Sequence, residues 1–218
     1  MRLILASGSP RRRELLARLG LDYELLPAEV DEAPRPGEEP RALALRLSRT
    51  KAETVAAARP EAVVLAADTV VARGRTLYGK PLDPADAAAM LGQLVGRGHR
   101  VITGLAVVAP ARRLCAAATS RVWLQSWSAA EIAAYVASGD PLDKAGAYAI
   151  QNELFRPVAR LRGCRCNVVG FPLGLVARLL SEVGLPPPIG PAEACPYGCY
   201  TPDRCDPYGT GSFPPDRP

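Results

Sequence analysis

Hydrophobic positions along this chain alternate between short continuous runs and stripes of helical period. Residues 2–6 (RLILA) read as a buried strand. Ser9 then suits an N-cap and Pro10 the first helical position, with Leu15, Leu16 and Leu19 on one apolar face and Gly20 as the stop. Residues 22–30 (DYELLPAEV) predict an extended segment leading to the acidic pair Asp31-Glu32 and a loop rich in proline and glycine. A helix follows over about 40–58, where Leu43, Leu47 and Lys51 share a face one turn apart. "EAVVLAADTVVARGRTLYGKP" reads as strand, Arg-Gly turn, strand. Asp83-Pro84 opens another helix that ends near Gly92 or Gly96, and "HRVITGLAVVAP" and "LCAAATSRVWLQSW" are two further strands. Ser128 and Glu131 form a capping box for a helix that runs through Tyr135 to Gly139. "CNVVGFPLGLVARLLSEVG" predicts a strand, a Gly-Phe-Pro turn and a last helix. Beyond Gly184 periodicity stops. Strands and helices interleave, which predicts the α/β class, and the hairpins at 62–80 and 98–124 require a mixed sheet rather than a purely parallel one.

Composition narrows the class. The chain has 218 residues, 48% apolar and 22% charged, the values of an ordinary globular protein with room for a full core. No apolar run is long enough to span a bilayer, and the first residues do not have the pattern of a signal peptide, so the expectation is a soluble cytoplasmic protein with no membrane partner. The net charge of +5 comes without a continuous basic arm, which argues against stable nucleic-acid binding. Only three of the 27 basic residues are lysines (Lys51, Lys80 and Lys144), and a lysine that survives an arginine-biased composition draws attention as a compact point charge. Residues 185–218 are rich in proline, glycine and cysteine and are expected to be loop or disordered. Cys195, Cys199 and Cys205 there offer three thiolates, one short of a closed zinc site.

Candidate chemistry begins with "LASGSPRR". A strand end that feeds a helix N-terminus presents unpaired N–H groups and the positive end of the helix dipole, a place that binds phosphate. Ser7 and Ser9 add hydroxyls, and Arg11 and Arg12 add forked donors. The loop is neither a Walker A loop nor a dinucleotide fingerprint. Asp68 stands in an apolar strand, where a carboxylate is costly unless paired or metal-bound. With Asp31-Glu32, Lys51 and Lys80, it makes a set of acids for a hard divalent cation and of cations for a polyphosphate, the pattern of phosphoryl- or nucleotidyl-transfer chemistry. His99, the only histidine, falls in a glycine-rich turn, which disfavours a Ser-His-Asp hydrolase.

In this order, "LASGSPRR", "VDE", "LSRTKAE", "AADTVV", "GKP", "VITGL", "DKAGAYAIQ" and "NVVGFPL" resemble the Maf family of nucleoside triphosphate pyrophosphatases. The resemblance covers about residues 2–184, which makes 1–184 a Maf-like domain and 185–218 a tail outside it. It implies an elongated mixed sheet flanked by helices, with a central cleft between two lobes, of Maf and ITPase type. It also implies hydrolysis of a nucleoside triphosphate to monophosphate and pyrophosphate with Mg²⁺ or Mn²⁺, a nucleotide-pool sanitising role, and a homodimer. On this chain the resemblance implies that Asp68 accepts the proton of the attacking water, with Asp31 and Asp68 at the metal. Ser7, Arg11, Arg12, Lys51 and Lys80 match phosphate-binding positions, and Arg11, Thr69 and Gln151 match positions tied to base preference. The combination looks like the branch that acts on dTTP and UTP. Two other readings stand beside it: a pyrophosphatase for 7-methyl-GTP or another modified nucleotide, and a non-hydrolysing nucleotide-binding regulator, for instance of cell division. Asn152 and Glu153 stand where family members commonly have glycine, which implies a different loop over the base.

Overall fold

The computed structural model describes residues 1–198, 200, 201, 211 and 212. In chain order the elements are β1 (Leu3–Leu5), α1 (Pro10–Ala17), β2 (Tyr23–Leu25), α2 (Pro40–Ala58), β3 (Val63–Arg73), β4 (Thr76–Tyr78) and α3 (Pro84–Leu94). Then come β5 (Gly98–Ala109), β6 (Arg112–Leu124), α4 (Ala129–Ala137), β7 (Val158–Arg162), α5 (Arg165–Val169), α6 (Leu173–Glu182), α7 (Pro191–Ala194) and β8 (Gly211–Ser212). One mixed sheet runs in the order β2-β1-β3-β5-β6-β7, with β4 added to β3 and β8 to β6. β1 pairs in parallel with β2 and β3, and β5 pairs antiparallel with both β3 and β6. Both expected hairpins form.

Alternation along β3 sets the layers, because successive side chains of a strand point to opposite faces. Val64 and Ala66 pack with Ala52 and Val55 of α2. Val63, Leu65 and Ala67 pack with Leu15 and Leu16 of α1 and with Val176 and Leu180 of α6. Farther along, Val71 and Tyr78 join α3 and α4 in a separate core. The long central strands are therefore shared by two lobes. Helix α2 lies very close to β5: a Cβ on Gly104 would stand 2.2 Å from the Ala44 carbonyl oxygen. Gly104 is directly opposite Asp68 in the ladder, so its missing side chain lets α2 come down beside that aspartate.

Three expectations are corrected. The run "CNVV" is helical (α5), not a strand; Cys166 and Asn167 are buried, and Gly170 ends the helix in the left-handed region (φ 105°). His99 is not in a turn but is the second residue of β5, and it is buried. Beyond Gly184 the chain does not leave the core at once. Leu185 and Ile189 pack on it, α7 forms, and Ala194 and Cys195 are buried, because this stretch supplies apolar residues despite its prolines. Cys199 and Cys205, and with them the three-cysteine arrangement, lie outside the described residues. Among the described residues no helix is long and apolar enough to cross a membrane.

Candidate active site

The cleft begins as a gap at the margin of the sheet. β1 pairs with β3 only as far as Leu65, and β4 takes over at Val71, so among the described residues β3 positions 66–70 have no strand on that side. The turn from β1 into α1 crosses the gap. A cavity of about 710 Å³ opens there, with one wall from the 7–12 turn, Glu32, Lys51, Asp68 and Thr69 and the other from Gly79, Lys80 and residues 143–145 and 148–151.

Asp68 is buried, 7% exposed, on the α2 face of β3. Lys51 reaches it from α2, donating from Nζ to Oδ1 at 2.6 Å, and the same ammonium lies 2.6 Å from Glu32 Oε1. Two carboxylates thus converge on one cation, and the desolvation cost of burying Asp68 is offset by this pairing. The loop acid that reaches the cleft is Glu32, not Asp31. Asp31 is exposed and its Oδ1 accepts the Ala33 N–H at 2.9 Å, an Asx turn that faces its neighbour Glu32 to the cavity.

Arg12 does something the sequence does not reveal. Its Nε donates to the Gly170 carbonyl at 3.0 Å, Nη1 to Ser7 Oγ at 3.2 Å and to the Ala67 carbonyl at 2.8 Å, and Nη2 to Thr69 Oγ1 at 3.1 Å. A guanidinium has five N–H groups, and most are committed to the protein. Its bond to Ala67 satisfies a β3 carbonyl in the gap, where a neighbouring strand would otherwise do so. Burial draws the Arg12 pKa down from the usual guanidinium value, and Asp68 pulls it back up. Thr69 is committed inward too. Thr103 gives its proton to the Asn167 carbonyl at 3.0 Å, so across the 3.0 Å Thr69–Thr103 contact Thr69 is the donor. Gly170 makes room for this cluster, since a Cβ there would meet Thr69 Oγ1 at 2.9 Å. Ser9 caps α1 by position only, with no side-chain cap bond; Ser7 Oγ accepts the Ser9 N–H at 3.3 Å.

The opposite wall is looser. Lys80 is exposed and Gln151 half-buried, and both line the cavity. Arg11 reaches across to Asp143, Nη2 to Oδ2 3.8 Å. Behind this wall Tyr135 donates to Asp140 Oδ2 at 2.6 Å and accepts the Ala149 N–H at 2.9 Å. Asn152 donates to the same Asp140 oxygen and accepts the Phe155 N–H, so its side chain pins the loop. Tyr148, a cavity residue, bonds through its hydroxyl to Nε2 of His99 at 2.8 Å. Burial holds the His99 pKa down at about 4. Sequence reasoning named Glu32 only within the acidic pair and gave the metal position to Asp31, and it missed Tyr148 and the positioning use of Arg12. Only Glu32 left a signal, as half of an acidic pair.

The comparisons agree with one another. The Maf-like protein family model matches residues 2–183. The dTTP/UTP pyrophosphatase of Gloeobacter violaceus is 47% identical over 84% of this chain and 96% of its own. That of Myxococcus xanthus is 49% identical over 85% and 94%, and that of Thermomicrobium roseum 50% identical over 85% and 86%. A solved structure of the Staphylococcus aureus Ham1 protein aligns with 58% of this chain at 13% identity and a TM-score of 0.37, too distant to add to the fold read directly from the strands.

Proposed function

The chain belongs to the Maf family, and from that premise we propose that it hydrolyses dTTP and UTP to the monophosphate and pyrophosphate. The observation that carries the reading is the Glu32–Lys51–Asp68 cluster, in which the exposed Glu32 meets the buried Lys51 and Asp68 at one end of a cavity also lined by Arg11 and Lys80. The triphosphate lies across the 7–12 turn. Its charge is met by the Ser7 hydroxyl, the N–H groups at the start of α1, Arg11 and Lys80. Arg12 acts on this end by positioning: it ties Ser7, β3 and Gly170 into one rigid platform.

Lys51 fixes the orientation of Asp68 through Oδ1. The other carboxylate oxygen then takes a proton from the attacking water. The water oxygen bonds to the α-phosphorus, the α–β bridging P–O bond breaks, and pyrophosphate leaves with the electron pair toward Lys80 and Arg11. At the base end, Gln151 offers both a donor and an acceptor to a pyrimidine edge. Thr69 bears on this end only indirectly, through its bond to Arg12.

The residues present fit a hard divalent cation. Asp68 and Glu32 bring carboxylate oxygens to either side of one positive charge, and the described residues contain no third acidic, histidine or cysteine ligand to close a cage. Two carboxylates and substrate phosphates are the usual surroundings of Mg²⁺. Asp68 and Glu32 would hold the ion, and Asp31 lies outside the cavity lining. Bound there, Mg²⁺ or Mn²⁺ supplies charge neutralisation for the triphosphate.

The test is a substrate panel of dTTP, UTP and 7-methyl-GTP with Mg²⁺, read as pyrophosphate formed. Release from dTTP and UTP is expected; preferential release from 7-methyl-GTP overturns the substrate assignment. No release from any of them, with binding retained, replaces the enzyme by a nucleotide-binding regulator.

A further inference from the structure

We propose that Cys166 and Cys195 are a modification site, a dithiol that oxidises to a disulfide and staples the C-terminal segment to α5. Their Sγ atoms are 3.7 Å apart and both residues are buried, 1% and 7% exposed. They come from segments 29 residues apart, Cys166 on α5 and Cys195 directly after α7. Cys195 lies beyond the residues that the family model matches, so the pair is no part of the shared machinery.

Two further contacts dock the same segments. The guanidinium of Arg165, the first residue of α5, sits 4.6 Å from the centre of the Tyr197 ring, and Ala194 is buried in the same core as Cys166. Arg165 also donates to the Ile150 carbonyl at 3.2 Å, and Ile150 lines the cleft. Gly170, at the end of α5, accepts the Arg12 bond. A covalent link at Cys166 therefore holds the helix that backs both ends of the cleft. Closing the gap to a bonded distance near ~2 Å takes a shift of ~1.7 Å, within the reach of side-chain rotation combined with movement of the short α7 segment.

The oxidant is a small-molecule disulfide such as oxidised glutathione. One cysteine thiolate attacks a sulfur of that disulfide; its S–S bond breaks and one small thiolate leaves. The second cysteine, as thiolate, attacks the protein sulfur of the mixed disulfide and expels the other small thiolate. The protein loses two hydrogens, and two small thiols are formed.

The experiment uses the full chain, reduced and then equilibrated with oxidised glutathione, alkylated, digested and mapped by mass spectrometry. The expected result is a peptide linking Cys166 to Cys195 as the dominant product, with a thermal midpoint raised by about 5 °C or more. Cys195→Ser removes both effects, while a Cys199→Ser/Cys205→Ser variant, which keeps Cys195, retains both. The proposal fails if Cys166 or Cys195 stays alkylatable once oxidation has reached its plateau, or if the main linked peptide joins another pair of the six cysteines. Neither readout depends on turnover, so the outcome is separate from the hydrolytic reading.

Discussion

The two walls of the cleft are built on different principles. The wall made by the 7–12 turn, β3 and α2 is buried and cross-linked, and its polar groups mostly answer to one another: Lys51 to Asp68 and Glu32, Arg12 to Ser7, Ala67, Thr69 and Gly170. The wall made by Lys80 and residues 143–151 carries exposed charge and is anchored from behind, through Tyr135–Asp140–Asn152 and His99–Tyr148. Fixed dipoles around the reacting phosphorus suit the first wall, since catalytic groups gain most from preorganisation. A wall that must accept different bases and release product is better placed on turns, as the second is.

The largest expected effect breaks the first wall at its chemistry. Asp68→Asn keeps the shape but removes the proton acceptor, and kcat should fall by about 10²–10⁴-fold while a non-hydrolysable UTP analogue still binds. Pyrophosphate release and calorimetry check the two halves, and unchanged turnover removes Asp68 from the role of base.

Next comes the anchor of the second wall. Burial lowers the His99 pKa from 6.5 to about 4, so as pH falls the unfolded chain takes up its proton first. The stabilisation from the neutral ring is complete above about pH 6.5 and is lost as pH drops from there toward 4, by about 3 kcal/mol at most. Thermal midpoints between pH 7 and 4.5 measure it, and His99→Gln should flatten the curve over that interval.

Gly104→Ala presses a methyl group into the α2 backbone opposite Asp68. A loss of about 1–3 kcal/mol is expected, seen as a midpoint several degrees lower, together with reduced kcat as Lys51 is displaced. The smallest effect belongs to the exposed rim. Lys80→Ala should lower kcat/KM about tenfold, through kcat as well as KM, with no change in thermal midpoint, and a stability loss instead would make the second wall structural.

Much of this was legible in the residues. Pro10 with Leu15, Leu16 and Leu19 gives α1, Ser128 with Glu131 gives α4 with its capping box realised, and the long apolar runs give β3, β5 and β6. α5 was not legible, because four residues of mixed apolar character fit a strand as well as a helical turn; the decision came from packing around Cys166 and Asn167. β7, rich in arginine, carried no strand signal of its own and is held by its ladder with β6. In the site, motif order singled out Lys51, Lys80 and Asp68, which line the cavity, but gave no role to Lys144 and Asp143, which line it too. Whether an arginine faces substrate or backbone is a tertiary property, and no local pattern separates Arg11 from Arg12. Likewise the turn at Asp31, not the acidity of the pair, chooses which carboxylate enters the cleft.

The break in the sheet along β3 has one more consequence. An unclaimed strand margin is adhesive, and a second polypeptide can be knitted onto it. Here the margin is plugged by the Arg12 guanidinium at the Ala67 carbonyl, inside a cleft lined by both cations and acids. The guanidinium takes up the β3 carbonyl that an incoming strand would need at that position, so one side chain does there what a neighbouring strand does elsewhere in the sheet.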